Sequence, residues 1–154
     1  VSVAVAEVER SRHIQAPMAQ VYRHIEDVEG IVGMMESLRD WEPIDDQGAY
    51  RFTLRNYSAL GYRFQPVAEL RMTWSAPQRV DFEPVGESAS RAAAEGAIEL
   101  QDRDGQTAAS IRVVLRLELP IPSLMAGAAA AVLRHELAGG FDRMLHRLDL
   151  ATTG

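Results

Sequence analysis

The last long stretch of the chain, residues 122–150, sets the tightest limit on what the rest can become. Within it Ala126, Ala130, Leu133, Leu137, Phe141, Met144 and Leu148 recur at steps of three and four. That spacing puts them on one stripe of a helix about 40 Å long at 1.5 Å per residue. So long an apolar stripe needs a partner surface. Almost everything before it alternates with period two, so the partner expected is one sheet wrapped around this helix. Residues 126–131 are all Ala or Gly. A sheet curling over those turns meets little side-chain volume, and the gap either collapses or stays open as a pocket.

The strands can be followed in order. Residues 3–15 read as a first strand, with Val8 and Ile14 on one face and Glu9, Ser11 and His13 on the other. Arg10 and Arg12 share the parity of Val8 and Ile14, so an unbroken register points two guanidinium groups toward the concave side; a bulge or an edge position would turn them to solvent. Pro17 suits the first turn of a helix, where its missing N–H costs nothing. Gly30 and Gly33 interrupt the helical spacing that follows, which predicts two short helices over 17–26 and 29–36. Six further strands are expected at 38–45, 49–57, 62–75, 79–85, 91–101 and 107–119, with a loop over 86–90 and a hairpin signal at Asp104-Gly105. Pro66 suggests a bulge or an edge within 62–75. Short connections favour antiparallel neighbours. The fold class expected is therefore α+β, one antiparallel sheet with its helices on one face, in a single domain over residues 1–154.

Composition excludes several functions. The formal net charge of -6 argues against a general nucleic-acid or anionic-membrane surface, both of which need clustered basic charge. No apolar run reaches the ~18–20 residues that span a bilayer, and residues 1–6 lack the basic start of a secretion signal, so a cytoplasmic address is expected. With no cysteine there are no disulfides or thiolate nucleophiles. All sixteen basic residues are Arg, which removes Schiff-base chemistry on a lysine. His13, His24, His135 and His146 show no metal-ligand spacing, since the neighbours His135 and Glu136 point ~100° apart on a helix. No nucleophile elbow or phosphate-binding glycine loop is present, and no cofactor is implied.

An apolar lining is what the strands do offer. Trp41, Phe52, Tyr62, Met72, Trp74 and Phe82 fall on positions that face inward, together with Leu115 and Leu117 on the last strand. Met125, Ala129 and Val132 on the Ala-rich turns would close the space from above, and Met34 stands at the end of the second short helix. Six bulky groups opposite an Ala-rich helix fit a pocket lined by apolar side chains with a few polar anchors, for which Arg10 and Arg12 are the candidates. Their planar forks would hold the acidic end of a ligand bidentately.

Two segments carry a family resemblance. Residues 8–30, VERSRHIQAPMAQVYRHIEDVEG, contain Ile14-x-Ala16-Pro17, then Val21-Tyr22 and Ile25-x-Asp27. The closing helix follows Ile121-Pro122 and ends in Phe141-x-x-Met144-Leu145. Together with the order of elements, they resemble the helix-grip superfamily of START-like domains, pollen-allergen-like proteins, polyketide cyclases and coenzyme Q-binding proteins. Arg12 stands where such openings usually carry an apolar residue. The middle strands lack the glycine-rich pattern of the carbon monoxide dehydrogenase accessory branch, so no subgroup is assigned. The resemblance implies a seven-stranded sheet gripping the last helix, with an apolar cavity between them.

Three functions are expected to compete. The first is binding or transport of a hydrophobic small molecule such as a lipid, quinone or polyketide-like compound, in a cavity of ~300–1,000 Å³. The second is an enzyme of the cyclase, aromatase or dehydratase type, which needs His135, Arg12 or Tyr62 to face the cavity as acid–base groups. The third is a protein-interaction module with a filled core and exposed Met34 and Met35.

Overall fold

The alternation at the two ends of the strand region survives as the longest pairing in the structure. In this computed structural model, which describes residues 2–86 and 91–153, strand β1 (Ser2–Ile14) pairs antiparallel with β9 (Gln106–Leu119). The register runs without a break from Ser2↔Leu119 to Ile14↔Thr107. Between them come α1 (Met18–Tyr22), α2 (Val28–Met34), β2 (Leu38–Pro43), β3 (Ala49–Leu54), β4 (Tyr57–Ala59), β5 (Tyr62–Phe64), β6 (Val67–Ser75), β7 (Arg79–Pro84) and β8 (Ala92–Arg103). A 3-10 turn at Ser123–Met125 then opens α3 (Ala126–Thr153). Seven strands form one antiparallel sheet in the order β1-β9-β8-β7-β6-β3-β2. The short helices thus carry the chain from one sheet edge to the other. Of the loop expected over 86–90, residues 87–90 lie outside the described residues.

The expected strands over 49–57 and 62–75 each divide. Pro66 has no N–H to give a ladder. Its carbonyl instead accepts the Leu54 N–H at 2.9 Å, and the Arg55 N–H goes to Ser37 O at 2.9 Å. The intervening residues fold back on themselves as a separate β4–β5 hairpin, Tyr57↔Phe64 to Ala59↔Tyr62. Its turn, Leu60-Gly61, has φ of 55° and 84°, the left-handed pair that a two-residue hairpin requires. The first short helix is also shorter than the spacing suggests, stopping at Tyr22. The second begins at Val28 behind Asp27, whose carboxylate caps the Gly30 N–H at 2.8 Å.

The concave face of the sheet, α1, α2 and one stripe of α3 share a single core. Val21 and Ile31 from the short helices, Ile25 from the turn between them, Phe52, Ile98 and Ile111 from the sheet, and Leu133, Met144, Leu145 and Leu148 from α3 are all at most 1% exposed. Each such side chain contributes ~1.5–3 kcal/mol of burial. Buried polar atoms pin the ends: Ser2 Oγ donates to Ile121 O at 3.1 Å, and Thr107 Oγ1 to Ala16 O at 2.7 Å. The Trp74 indole N–H donates to Ile25 O at 2.8 Å and ties the chain after α1 to the sheet.

Candidate functional site

The Ala-rich turns of α3 close the gap that was expected beneath residues 125–133. Edge strand β1 runs alongside α3 in the same direction: Ser2 bonds Ile121, Arg10 pairs with Asp142 at 3.5 Å, and Arg12 with Asp149 at 2.8 Å. At ~3.3 Å per strand residue and ~1.5 Å per helix residue, Ala4 and Ala6 fall opposite the Ala-rich turns. Ala4, Ala6 and Ala129 are all at most 2% exposed. Small residues on both sides let the backbones approach, and α3 comes nearer to β1 than to any other strand. The inward stripe accordingly uses Ala129, with Ala126 and Ala130 only half-buried.

Away from β1, α3 stands off from the sheet and bulky side chains fill the distance incompletely. A cavity of about 70 Å³ remains beneath Leu137 and Phe141. Its floor is Phe52 and Leu54 of β3, Ala68, Leu70 and Met72 of β6, Phe82 of β7, Ala94 and Ile98 of β8, and Val113 and Leu115 of β9. Ile31 of α2 and Met35, Ser37 and Leu38 close one side. Ser37 brings the one side-chain polar atom in that lining. A space so poor in hydrogen-bonding groups stays dry, because a water needs two to four polar partners.

Of the residues expected to line a site, the structure brings Phe52, Met72, Phe82 and Leu115 together around this cavity. Met34, Trp41, Trp74 and Met125 are half-buried against the core without lining it. Trp41 meets Tyr50 edge-on at 5.8 Å between ring centroids. Leu117 and Ala129 are buried elsewhere, and Val132 is half-buried. Arg10 and Arg12 keep the helix-facing parity but sit on an edge strand, so their guanidinium groups reach the rim of α3 and pair with its carboxylates. Neither lines the cavity. His135 is exposed and Tyr62 is 36% exposed, so neither lies where the cyclase reading needs it. Among the described residues no group of three His, Asp or Glu could hold a metal ion.

A polar notch adjoins the cavity and shares Ser37, Leu137 and Phe141 with it. Its other residues are Glu36, Arg55, Tyr57, Glu136 and Gly140, and at about 10 Å³ it has room for one water. Arg55 pairs with Glu136 of α3, and its guanidinium lies 4.8 Å from the centre of the Tyr57 ring. That ring stacks in turn on Phe64 at 5.9 Å. Burial pushes the Tyr57 phenol above the usual tyrosine range, against the hydrogen bond from Arg55, so the hydroxyl keeps its proton at neutral pH. Glu36 accepts from Arg143 Nε at 2.6 Å and has Arg147 at 3.5 Å. Its carboxyl is held below the ordinary glutamate range, first by the hydrogen bond from Arg143.

This notch was not evident from the sequence, where Arg55 reads as the wet face of a strand continuing to 57. The sign of the break is local. Tyr50, Phe52 and Leu54 keep period two, and Tyr57 then follows after a step of three. A change of parity there marks the end of β3 and swings Arg55 and Tyr57 toward α3.

No family model and no curated protein matches this sequence. Solved structures match it by shape. TTHA0849 from Thermus thermophilus aligns with a TM-score of 0.68 at 19% identity, covering 96% of this chain and 97% of that one. A START superfamily protein from Mycobacterium smegmatis aligns at 0.65 and 9% identity, over 96% of this chain and 97% of that one. The di-domain ARO/CYC BexL from the BE-7585A biosynthetic pathway aligns at 0.66 and 14% identity, over 97% of this chain and 50% of that one. Likeness at such identities is likeness of fold. The seven-stranded antiparallel sheet closed by a long C-terminal helix, with short helices after the first strand, is the helix-grip fold of START-like proteins.

Proposed function

We propose that this chain binds an apolar or amphipathic small molecule between its sheet and α3. The observation that carries the reading is the dry cavity beneath Leu137 and Phe141, with aliphatic and aromatic walls and a charged notch beside it. Such a combination suits a ligand with a hydrocarbon body and one polar end.

The cavity is about 70 Å³, well below the ~300–1,000 Å³ of sites for drug-sized ligands. Binding therefore requires the walls to move. Met35 is half-buried between α2 and β2, Leu38 is half-buried at the start of β2, and Met72 is part of the floor. Methionine turns easily about its side-chain bonds, so these positions can yield at small cost. The half-buried state of Met34 and Met35 gives no support to an interaction module that would expose them. The positions of His135, Arg12 and Tyr62 favour binding over an acid–base cyclase.

A thermal-shift screen with medium-chain fatty acids, quinones and aromatic polyketides tests the proposal. A ligand selective for the folded state raises the melting temperature by mass action, and its effect grows with concentration. Melting temperatures unmoved by all three classes up to millimolar concentration would contradict it.

A further inference from the structure

We infer that Arg55, together with the Tyr57 hydroxyl, is the anchor for the polar end of the ligand, and that the ligand is a small apolar carboxylic acid. The inference rests on the binding reading above and narrows it to one chemical class. Among the described residues, Arg55 is the cation that lines the notch adjoining the cavity. A ligand whose hydrocarbon part lies beneath Leu137 and Phe141 would bring its head group out at this point.

Arg55 is held ready for that role. Its backbone N–H is fixed to Ser37 O at 2.9 Å, and its guanidinium rests over the Tyr57 ring. The Arg55 side chain is 25% exposed, whereas its partner Glu136 is 41% exposed on the surface of α3. Much of the water around the guanidinium is already gone, so replacing one carboxylate by another exchanges like for like. Glu136 can turn into solvent with little loss, and a ligand carboxylate takes its place on the guanidinium fork. The Tyr57 hydroxyl lines the same notch, and its O–H can donate to the second carboxylate oxygen.

The local charge points the same way. Glu36, the other acid at the notch, is matched by both Arg143 and Arg147. Arg143 and Arg147, which lie outside the notch lining, offset the charge of Glu36, so Glu136 is the carboxylate that competes for Arg55. An incoming anion therefore has one like charge to displace there, in a chain whose net charge is -6.

The test is calorimetric titration with a matched pair, cyclohexanecarboxylic acid and cyclohexylmethanol, at pH 7 and low salt. Wild-type protein should bind the acid about tenfold or more tightly than the alcohol, as a charge-assisted hydrogen bond implies. Arg55→Met, which keeps an apolar stem, should weaken the acid about tenfold or more and the alcohol far less, so that the preference for the acid disappears. Glu136→Gln should raise the affinity for the acid, because the competing carboxylate is gone. Equal binding of acid and alcohol to the wild type, or equal loss of both in Arg55→Met, overturns the anchor while the cavity reading stands. Binding of neither compound overturns both. If Arg55→Met does not fold, the wild-type ratio and Glu136→Gln decide the matter.

Discussion

Gly96 sits where β8 crosses between Phe82 of β7 and Val113 of β9, and the backbones there are too close for any side chain. A Cβ at this position would overlap the carbonyl oxygen of Arg112 and lie 3.0 Å from the Val113 Cα. Both obstacles are backbone, so neither can swing aside. Gly96→Ala should cost ~2–3 kcal/mol, the range of strain imposed on a packed sheet, and lower the urea midpoint without changing far-UV circular dichroism. A midpoint equal to wild type would show that the sheet is not locked at this crossing. Single residues also set the acid limit. Glu36 is held low first by the hydrogen bond from Arg143, Asp149 by that from Arg12, and Asp45 by the backbone N–H of Gln47. A lowered folded-state pKa contributes stability that is complete above the ordinary carboxylate value of about 4 and disappears as pH falls through the lower folded value. Melting temperature should therefore hold steady from neutral pH to about 5 and then decline, and Glu36→Gln should make the decline shallower. An identical acid slope in that variant would remove Glu36 from the account. These pairs are partly exposed, so salt should weaken them. The sequence disclosed the parity of Arg10 and Arg12 but not their partners, because an edge strand shows in topology and not in alternation.

At the scale of elements, the relation between β1 and α3 determines where any space can lie. The periodicity of 122–150 foretold the helix, and the Ala run foretold its thinness, yet thinness led to close approach and not to a void. The deciding fact was that β1 also carries Ala at positions 4 and 6, and their pairing with α3 depends on which strand lies at the sheet edge. Ala129→Leu would force a larger side chain into this contact and should destabilise by ~1–3 kcal/mol, as overpacking does. Ala131→Leu, on the exposed side of the same helix, should change the melting temperature little. Comparable losses from both substitutions would mean that the β1 contact is not tight. The β4–β5 hairpin was hidden for a similar reason. Period two continues through short strands of either sheet, and Pro66 with Leu60-Gly61 marks an interruption without saying how the residues between will pair.

For the molecule as a whole, an antiparallel sheet wrapped around a long terminal helix was legible from the order of periods: two, then 3.6, then two through six segments, then 3.6 again. Which apolar residues would border empty space was not, since a filled core and a lined cavity have the same alternation. Phe52, Met72, Phe82 and Leu115 were placed on inward-facing positions and border the cavity; Leu137 and Phe141, on the stripe but beyond the Ala turns, were not assigned to a site. No described helix is long and apolar enough to cross a membrane. On the binding reading, the space beneath Leu137 and Phe141 yields to a small apolar ligand. Methyl-resolved NMR of protein labelled at Ile, Leu, Val and Met, titrated with cyclohexanecarboxylate, tests it most directly. Saturable shifts concentrated at Ile31, Leu54, Met72, Ile98, Leu115 and Leu137 are expected. Shifts absent from these methyls, or confined to exposed ones such as Leu124 and Leu60, would contradict it.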